Sequence, residues 1–178
     1  QLTKIFDKSI NGASSNNWHN NVNGKGATFT VMTLTNGFVI GGYYDQSWLS
    51  INNYNYQDYS QNDSFIFSLT GGIKAEHNRY GYEVYDNNNY GATWGGGHDL
   101  YTNNNLSYGY ANIGHGYGDT SRYGTSAYRN EFSGTYSFNI DKYETFTVSA
   151  AEVPEPGTLS LLGLGLAGLG FARRQKKS

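Results

Sequence analysis

Apolar and polar positions alternate most cleanly from Thr28 to Tyr44. There Thr-Phe-Thr-Val-Met-Thr-Leu-Thr runs into Asn36-Gly37 and then into Phe-Val-Ile-Gly-Gly-Tyr-Tyr. Period-two patterning rich in β-branched and aromatic residues predicts strands. The Asn-Gly pair between them predicts a hairpin closed by a type I′ turn, whose central residues both need positive φ. Shorter runs predict strands at Ser64 to Leu69, Tyr82 to Tyr85, His98 to Tyr101, Glu131 to Phe138 and Glu144 to Val148, and Ala13 to Asn21 reads as a short helix. Short strands separated by Gly and Asn, with no long helical period before Thr158, predict a mainly β domain (α+β at most). The expected architecture is an antiparallel β-sandwich with one or two short helices.

The pattern changes at the C-terminal end. Leu159, Leu161, Leu162, Leu164, Leu166, Leu169 and Phe171 are interleaved with Gly163, Gly165, Gly168 and Gly170, and Arg173-Arg174-Gln175-Lys176-Lys177 follows. This predicts a hydrophobic helix of about fifteen residues, short of the roughly 20 that a stable span needs, so it reaches about 22 Å across a core of about 30 Å. The basic residues after it favour the cytoplasmic side, which places everything before Pro154 outside. Pro154 and Pro156 keep the segment beside the membrane extended. The expected organisation is a β-sandwich domain at 1–149, a linker at 150–157 and a short hydrophobic helix with a basic end at 158–178.

Composition fits export. The chain has no Cys, which removes disulfides and thiol chemistry. Residues 1–151 carry eight basic and twelve acidic side chains, a net −4 that argues against a nucleic-acid partner. The chain starts without Met, and an N-terminal signal peptide is expected to have been removed or to lie outside this sequence. With 17 Tyr, 24 Gly and 15% charged residues, the outer surface is polar through amides and hydroxyls more than through charge. Asn16-Asn17, Asn52-Asn53, Asn87-Asn88-Asn89 and Asn103-Asn104-Asn105 read as loop tips.

Val153, Pro154, Glu155 and Pro156, with the apolar run and basic end behind them, resemble the PEP-CTERM sorting signal. That resemblance implies recognition and cutting near Pro-Glu-Pro by an exosortase, in a bacterium with an outer membrane that commonly makes exopolysaccharide. The implied location is the envelope, outer surface or extracellular matrix, after transient anchoring in the inner membrane.

A second resemblance covers about Leu2 to Val148. Phe6-Asp7-Lys8-Ser9, Ile10-Asn11-Gly12-Ala13-Ser14, Trp18-His19 and Asn23-Gly24-Lys25-Gly26-Ala27-Thr28-Phe29 occur in order. They are followed by Thr35 to Tyr43 with Trp48, Ser64 to Leu69, and Tyr90-Gly91-Ala92-Thr93-Trp94-Gly95-Gly96-Gly97-His98-Asp99-Leu100-Tyr101. These blocks resemble the TLDc domain, which implies a sandwich of two antiparallel sheets with short flanking helices. Eukaryotic relatives are associated with protection from oxidative stress and with the vacuolar proton pump; no reaction is established for the fold. The Cys often found after the family's Phe-His pair is absent, since Asn20, Asn21, Val22 and Asn23 follow Trp18-His19. A thiol mechanism cannot operate here, and an exported bacterial protein would meet no such pump.

Candidate chemistry centres on His98-Asp99. Neighbours on a strand face opposite ways, so the two cannot act jointly without a bulge. The ordinary reading is a histidine bonded to backbone and an aspartate capping a turn. A hydrolase would pair His98 with a carboxylate such as Glu83. The glycines at 41–42 and 95–97 read as close approaches beneath aromatic rings or as positive-φ positions, since no helix start follows to cradle a phosphate. Ser107 to Tyr128 reads as a long surface loop, open as a binding face. The expectation is a non-enzymatic binding domain without cofactor or metal. Trp48, Trp94, His98, Asp99 and Tyr117 are its candidate ligand residues and polysaccharide its ligand, because rings stack on sugar faces. A stress-protection role through protein partners is the alternative binding reading.

Overall fold

A computed structural model describes residues 1–55, 63–78 and 81–148. Strand β1 (Leu2–Asp7) leads into helices α1 (Lys8–Asn11) and α2 (Ser15–Val22), then β2 (Thr28–Leu34), β3 (Val39–Tyr44), β4 (Asn53–Asn55), β5 (Phe65–Ser68) and β6 (Ile73–Glu76). The second half holds β7 (Val84–Asp86), β8 (Leu100–Thr102), β9 (Tyr108–Ala111), a 3₁₀ turn (Thr120–Arg122), α3 (Ser126–Ser133) and β10 (Ser137–Val148). An antiparallel sheet runs β6-β5-β3-β2-β10-β9-β8, with β1 also on β10, and β4 pairs with β7. The protein is therefore mostly antiparallel β with a curled sheet and few short helices.

The twelve-residue β10 is the spine. Its first residues, Ser137 to Asn139, pair with β9, whereas Glu144 to Val148 pair with β1; β2 lies along its other edge, with an irregularity between Ile140 and Lys142. A bulge of this kind bends a strand, and here it lets β10 pass from one part of the curled sheet to the other. Trp94 bridges Val84 and Leu100, linking β7 to β8.

In β2 burial alternates residue by residue, so Thr28, Thr30, Met32 and Leu34 face inward. The buried threonines have partners that explain them. Trp48 donates its indole N–H to Thr28 at 3.0 Å, Trp18 donates to Thr145 at 2.9 Å, and Thr30 lies 3.1 Å from Thr145. A buried indole needs an acceptor, and a β-branched hydroxyl supplies one without leaving the strand. Gly42 faces the Trp94 ring; a Cβ there would lie 2.6 Å from Cε2.

The hairpin forms, with a different turn. Gly37 has φ 88 whereas Asn36 is not in the positive-φ region, and Leu34 accepts from the Gly37 N–H while donating to Phe38. Thr35-Asn36-Gly37 is thus a three-residue loop with one left-handed glycine in place of a type I′ turn. The expected strand from Glu131 is also corrected. Ser126 to Ser133 is helical, capped by Thr125, which accepts from the Tyr128 N–H, and ended by left-handed Gly134. Tyr128 and Phe132, one turn apart, bury the same helix face. Ser107 to Tyr128 holds β9, the 3₁₀ turn and the start of α3, with Ile113 and Tyr117 fully buried. It is packed structure, not a long surface loop.

Candidate functional site

His98 sits at the end of the Gly95-Gly96-Gly97 run, where its N–H donates to Gly95 and its own backbone takes the left-handed φ of 54. This places the imidazole ahead of β8, between the β4–β7 pair and the β8–β9 pair. Both pairs present tyrosines in register: Tyr54 opposite Tyr85, and Tyr101 opposite Tyr110. Ring centroids follow one another at 4.6 Å from Tyr82 to Tyr54, 4.5 Å to Tyr85, 5.6 Å to Tyr90 and 5.1 Å to Tyr101. The series continues at 4.7 Å to Tyr110 and 5.4 Å to Tyr136. His98 stacks on Tyr101 at 5.6 Å with an interplanar angle of 7°. The result is a strip of rings along one side of the molecule. Among the described residues, Tyr82 and Tyr136 are its exposed outermost members and the others are partly buried.

Protonation follows from packing. Burial lowers the His98 pKa, keeping the ring neutral near pH 7, and pushes the Tyr110 phenol up to about 12. The same desolvation raises Tyr54 and Tyr101. Nδ1 of His98 lies 3.0 Å from the Tyr110 hydroxyl, and Nε2 is enclosed without a hydrogen-bond partner among the described residues. At the far end the Arg129 guanidinium covers the Tyr136 ring at 4.7 Å and bonds Asn112.

The remaining candidate residues lie elsewhere. Trp48, Trp94 and Tyr117 are fully buried, so they offer no ring face to a ligand; they are core, with Trp48 against Trp18 at 5.0 Å and Trp94 at 5.9 Å. Asp99 is also fully buried. Its Oδ1 accepts from the backbone N–H groups of Gly114, His115, Gly116 and Tyr117 at 2.8–3.2 Å, and Oδ2 accepts from Gly116 at 2.9 Å. Gly95 leaves the space that Oδ2 occupies. Asp99 thus ties the 114–117 loop to β8, and burial outweighs those bonds to raise its pKa to about 6.

His98 and Glu83 do not form the pair a hydrolase would use. His98 bonds Tyr110, while Glu83 is buried against the Ser64 hydroxyl, whose oxygen also lies 3.2 Å from Asp45. Burial pushes Glu83 up to about 8, with Asp45 adding to the shift. Ser64 also lines a cleft of about 520 Å³ with Tyr43, Asp63, Phe65, Lys74, Glu76 and His77. Among the described residues no three His, Asp or Glu side chains converge as a metal site. The strip has little signal in the sequence, because Tyr54, Tyr85, Tyr101 and Tyr110 come from four different strands and Tyr82, Tyr90 and Tyr136 from the segments between.

Val153, Pro154, Glu155 and Pro156 and the expected hydrophobic helix at 158–178 lie outside the described residues. Among those described, no helix is long and apolar enough to cross a membrane.

No curated protein matches the chain. Two family profiles do: the TLDc domain over residues 1–149 and the PEP-CTERM protein-sorting motif over residues 152–176. The second implies recognition by exosortase machinery and supports export to the envelope of a Gram-negative bacterium. With the profile spanning the whole described β fold, this chain belongs to the TLDc domain family, and it carries a PEP-CTERM sorting motif at its C-terminal end.

Proposed function

We infer that this is a non-enzymatic binding domain, delivered by its sorting motif to the outer surface or extracellular matrix, where it holds polysaccharide through the tyrosine strip. Transient anchoring by residues 158–178 precedes cutting near Pro154. The continuous run of rings from Tyr82 to Tyr136 carries this reading. Most interior rings spend their faces on one another, so they offer edges and hydroxyls to sugar hydroxyls, whereas Tyr82 is 41% exposed. Asn52, Asn87 to Asn89 and Asn103 to Asn105, in turns next to these strands, add amides suited to the same groups.

Calorimetry of the purified protein with the host's own exopolysaccharide tests this. Saturable binding that weakens in Tyr82→Ala and Tyr54→Ala supports it. An absence of saturable binding to that polysaccharide and across a glycan array overturns it.

A further inference from the structure

Within the tyrosine strip, Tyr110 and His98 form a phenol–imidazole pair whose proton polysaccharide binding does not move. With the ring proton on Nε2, Nδ1 accepts from the Tyr110 hydroxyl at 3.0 Å. Desolvation keeps this imidazole neutral, so Nδ1 holds a lone pair toward the hydroxyl, and it keeps the phenol from ionising unaided. Removing an electron from Tyr110 alone would leave a cation in a partly dry site, which is costly. Passing the phenolic proton to Nδ1 in the same event moves that charge onto the imidazole, a far stronger base than an oxidised phenol, and leaves a neutral tyrosyl radical. Tyr110 also touches rings on both sides, Tyr101 at 4.7 Å and Tyr136 at 5.4 Å, and the contacts continue through Tyr90, Tyr85 and Tyr54 to Tyr82.

We propose that Tyr110 with His98 is a one-electron oxidation site, and that the contacting rings carry its radical to Tyr136 and Tyr82, where two copies of this chain become joined by a dityrosine bond. The oxidant is a one-electron acceptor of the ferryl-haem class or a photogenerated metal(III) complex. Tyr110 gives it one electron and gives its proton to His98 Nδ1. An electron from Tyr136, or from Tyr82 by way of the rings between, then refills Tyr110, the proton returns from Nδ1, and the exposed tyrosine that gave the electron releases its own proton to water. Radicals on two copies couple at the carbons ortho to their hydroxyls, and the displaced ring protons restore the phenols. For each link one C–C bond forms, two electrons pass to the oxidant and two protons pass to water. The reaction does not depend on the ligand reading above.

Exposure alone gives a different outcome, which makes the idea testable within one protein. Tyr82 and Tyr136 are 41% and 43% exposed, and Tyr108 and Tyr123, outside this series of ring contacts, are 39% and 44% exposed. The full chain as exported is illuminated with ruthenium tris-bipyridine and persulfate, and dityrosine is located by peptide mass mapping. Cross-links concentrated at Tyr136 and Tyr82 are expected, with that preference lost in Tyr110→Phe, which keeps the ring and removes the hydroxyl. His98→Asn tolerates positive φ but accepts no proton, and it should lower the tyrosyl radical signal in freeze-quenched paramagnetic resonance. Equal yields at the four tyrosines of the unmodified sequence, or a preference that survives in Tyr110→Phe, would overturn the proposal.

Discussion

Asp99 and Glu83 are carboxyls held out of water, and their titration sets how stability responds to pH. Unfolded carboxyls titrate near pH 4, whereas the folded values are raised to about 6 for Asp99 and about 8 for Glu83. Between those limits the folded state holds more protons than the unfolded chain, so stability falls as pH rises. Asp99 contributes to that fall from about 4 to about 6, and Glu83 from about 4 to about 8, each at no more than about 1.4 kcal/mol per pH unit. Partly buried His77 and His98 pull the other way up to about pH 6.5, so chemical denaturation should show the decline between about pH 7 and 8, and Glu83→Gln should flatten it there. A curve that climbs through that interval in the parent protein would contradict these raised values. Asp99→Ala acts differently, stranding buried N–H groups at Gly114 to Tyr117 at a cost of about 1–3 kcal/mol or more. Thermal melts would register it as a large loss. At Gly42 an added methyl meets the Trp94 ring, and Gly42→Ala should cost about 1–3 kcal/mol through overpacking.

Single elements show what the chain revealed and what it hid. The β2–β3 hairpin was legible because its alternation and its Asn36-Gly37 turn agree, yet the turn type was not, since Asn-Gly suits either loop length. Helix α3 was missed because Tyr, Phe and Thr around it raise strand propensity, while the deciding features are local caps. Thr125 accepts from the Tyr128 N–H and Gly134 closes the other end. Thr125→Ala should therefore cost about 1 kcal/mol, read as a fall in Tm of about 2–4 °C. Strand β1 and the bend in β10 depend on pairing partners more than a hundred positions apart in sequence, such as Leu2 with Val148, and no local pattern reports them. For the same reason the tryptophans misled: Trp48 and Trp94 are as compatible with a sugar platform as with a core until the opposing layer is placed. The tyrosine strip stayed hidden because it is assembled from two separate strand pairs.

For the whole molecule, the two family matches fall on separate stretches of the chain, 1–149 and 152–176. Among the described residues every buried hydrophobic side chain lies between Phe6 and Tyr143, within the span matched as a TLDc domain, and the sorting motif begins at 152. A label that is cut away must leave the domain intact, so a chain ending at Val153 should melt within about 1 °C of the full-length protein, far less than the shift from losing about 1 kcal/mol. Removal of the tail also takes four basic residues and leaves eight against twelve acidic ones in residues 1–151. The processed protein should therefore focus at a lower pH than the sequence value of about 6.1. Intact mass of protein recovered from the outer surface checks the cut directly: the C-terminus should fall near Pro154. A mature product that still carries Lys177 would refute processing, while a truncated chain with a markedly lowered Tm would show that the tail belongs to the fold.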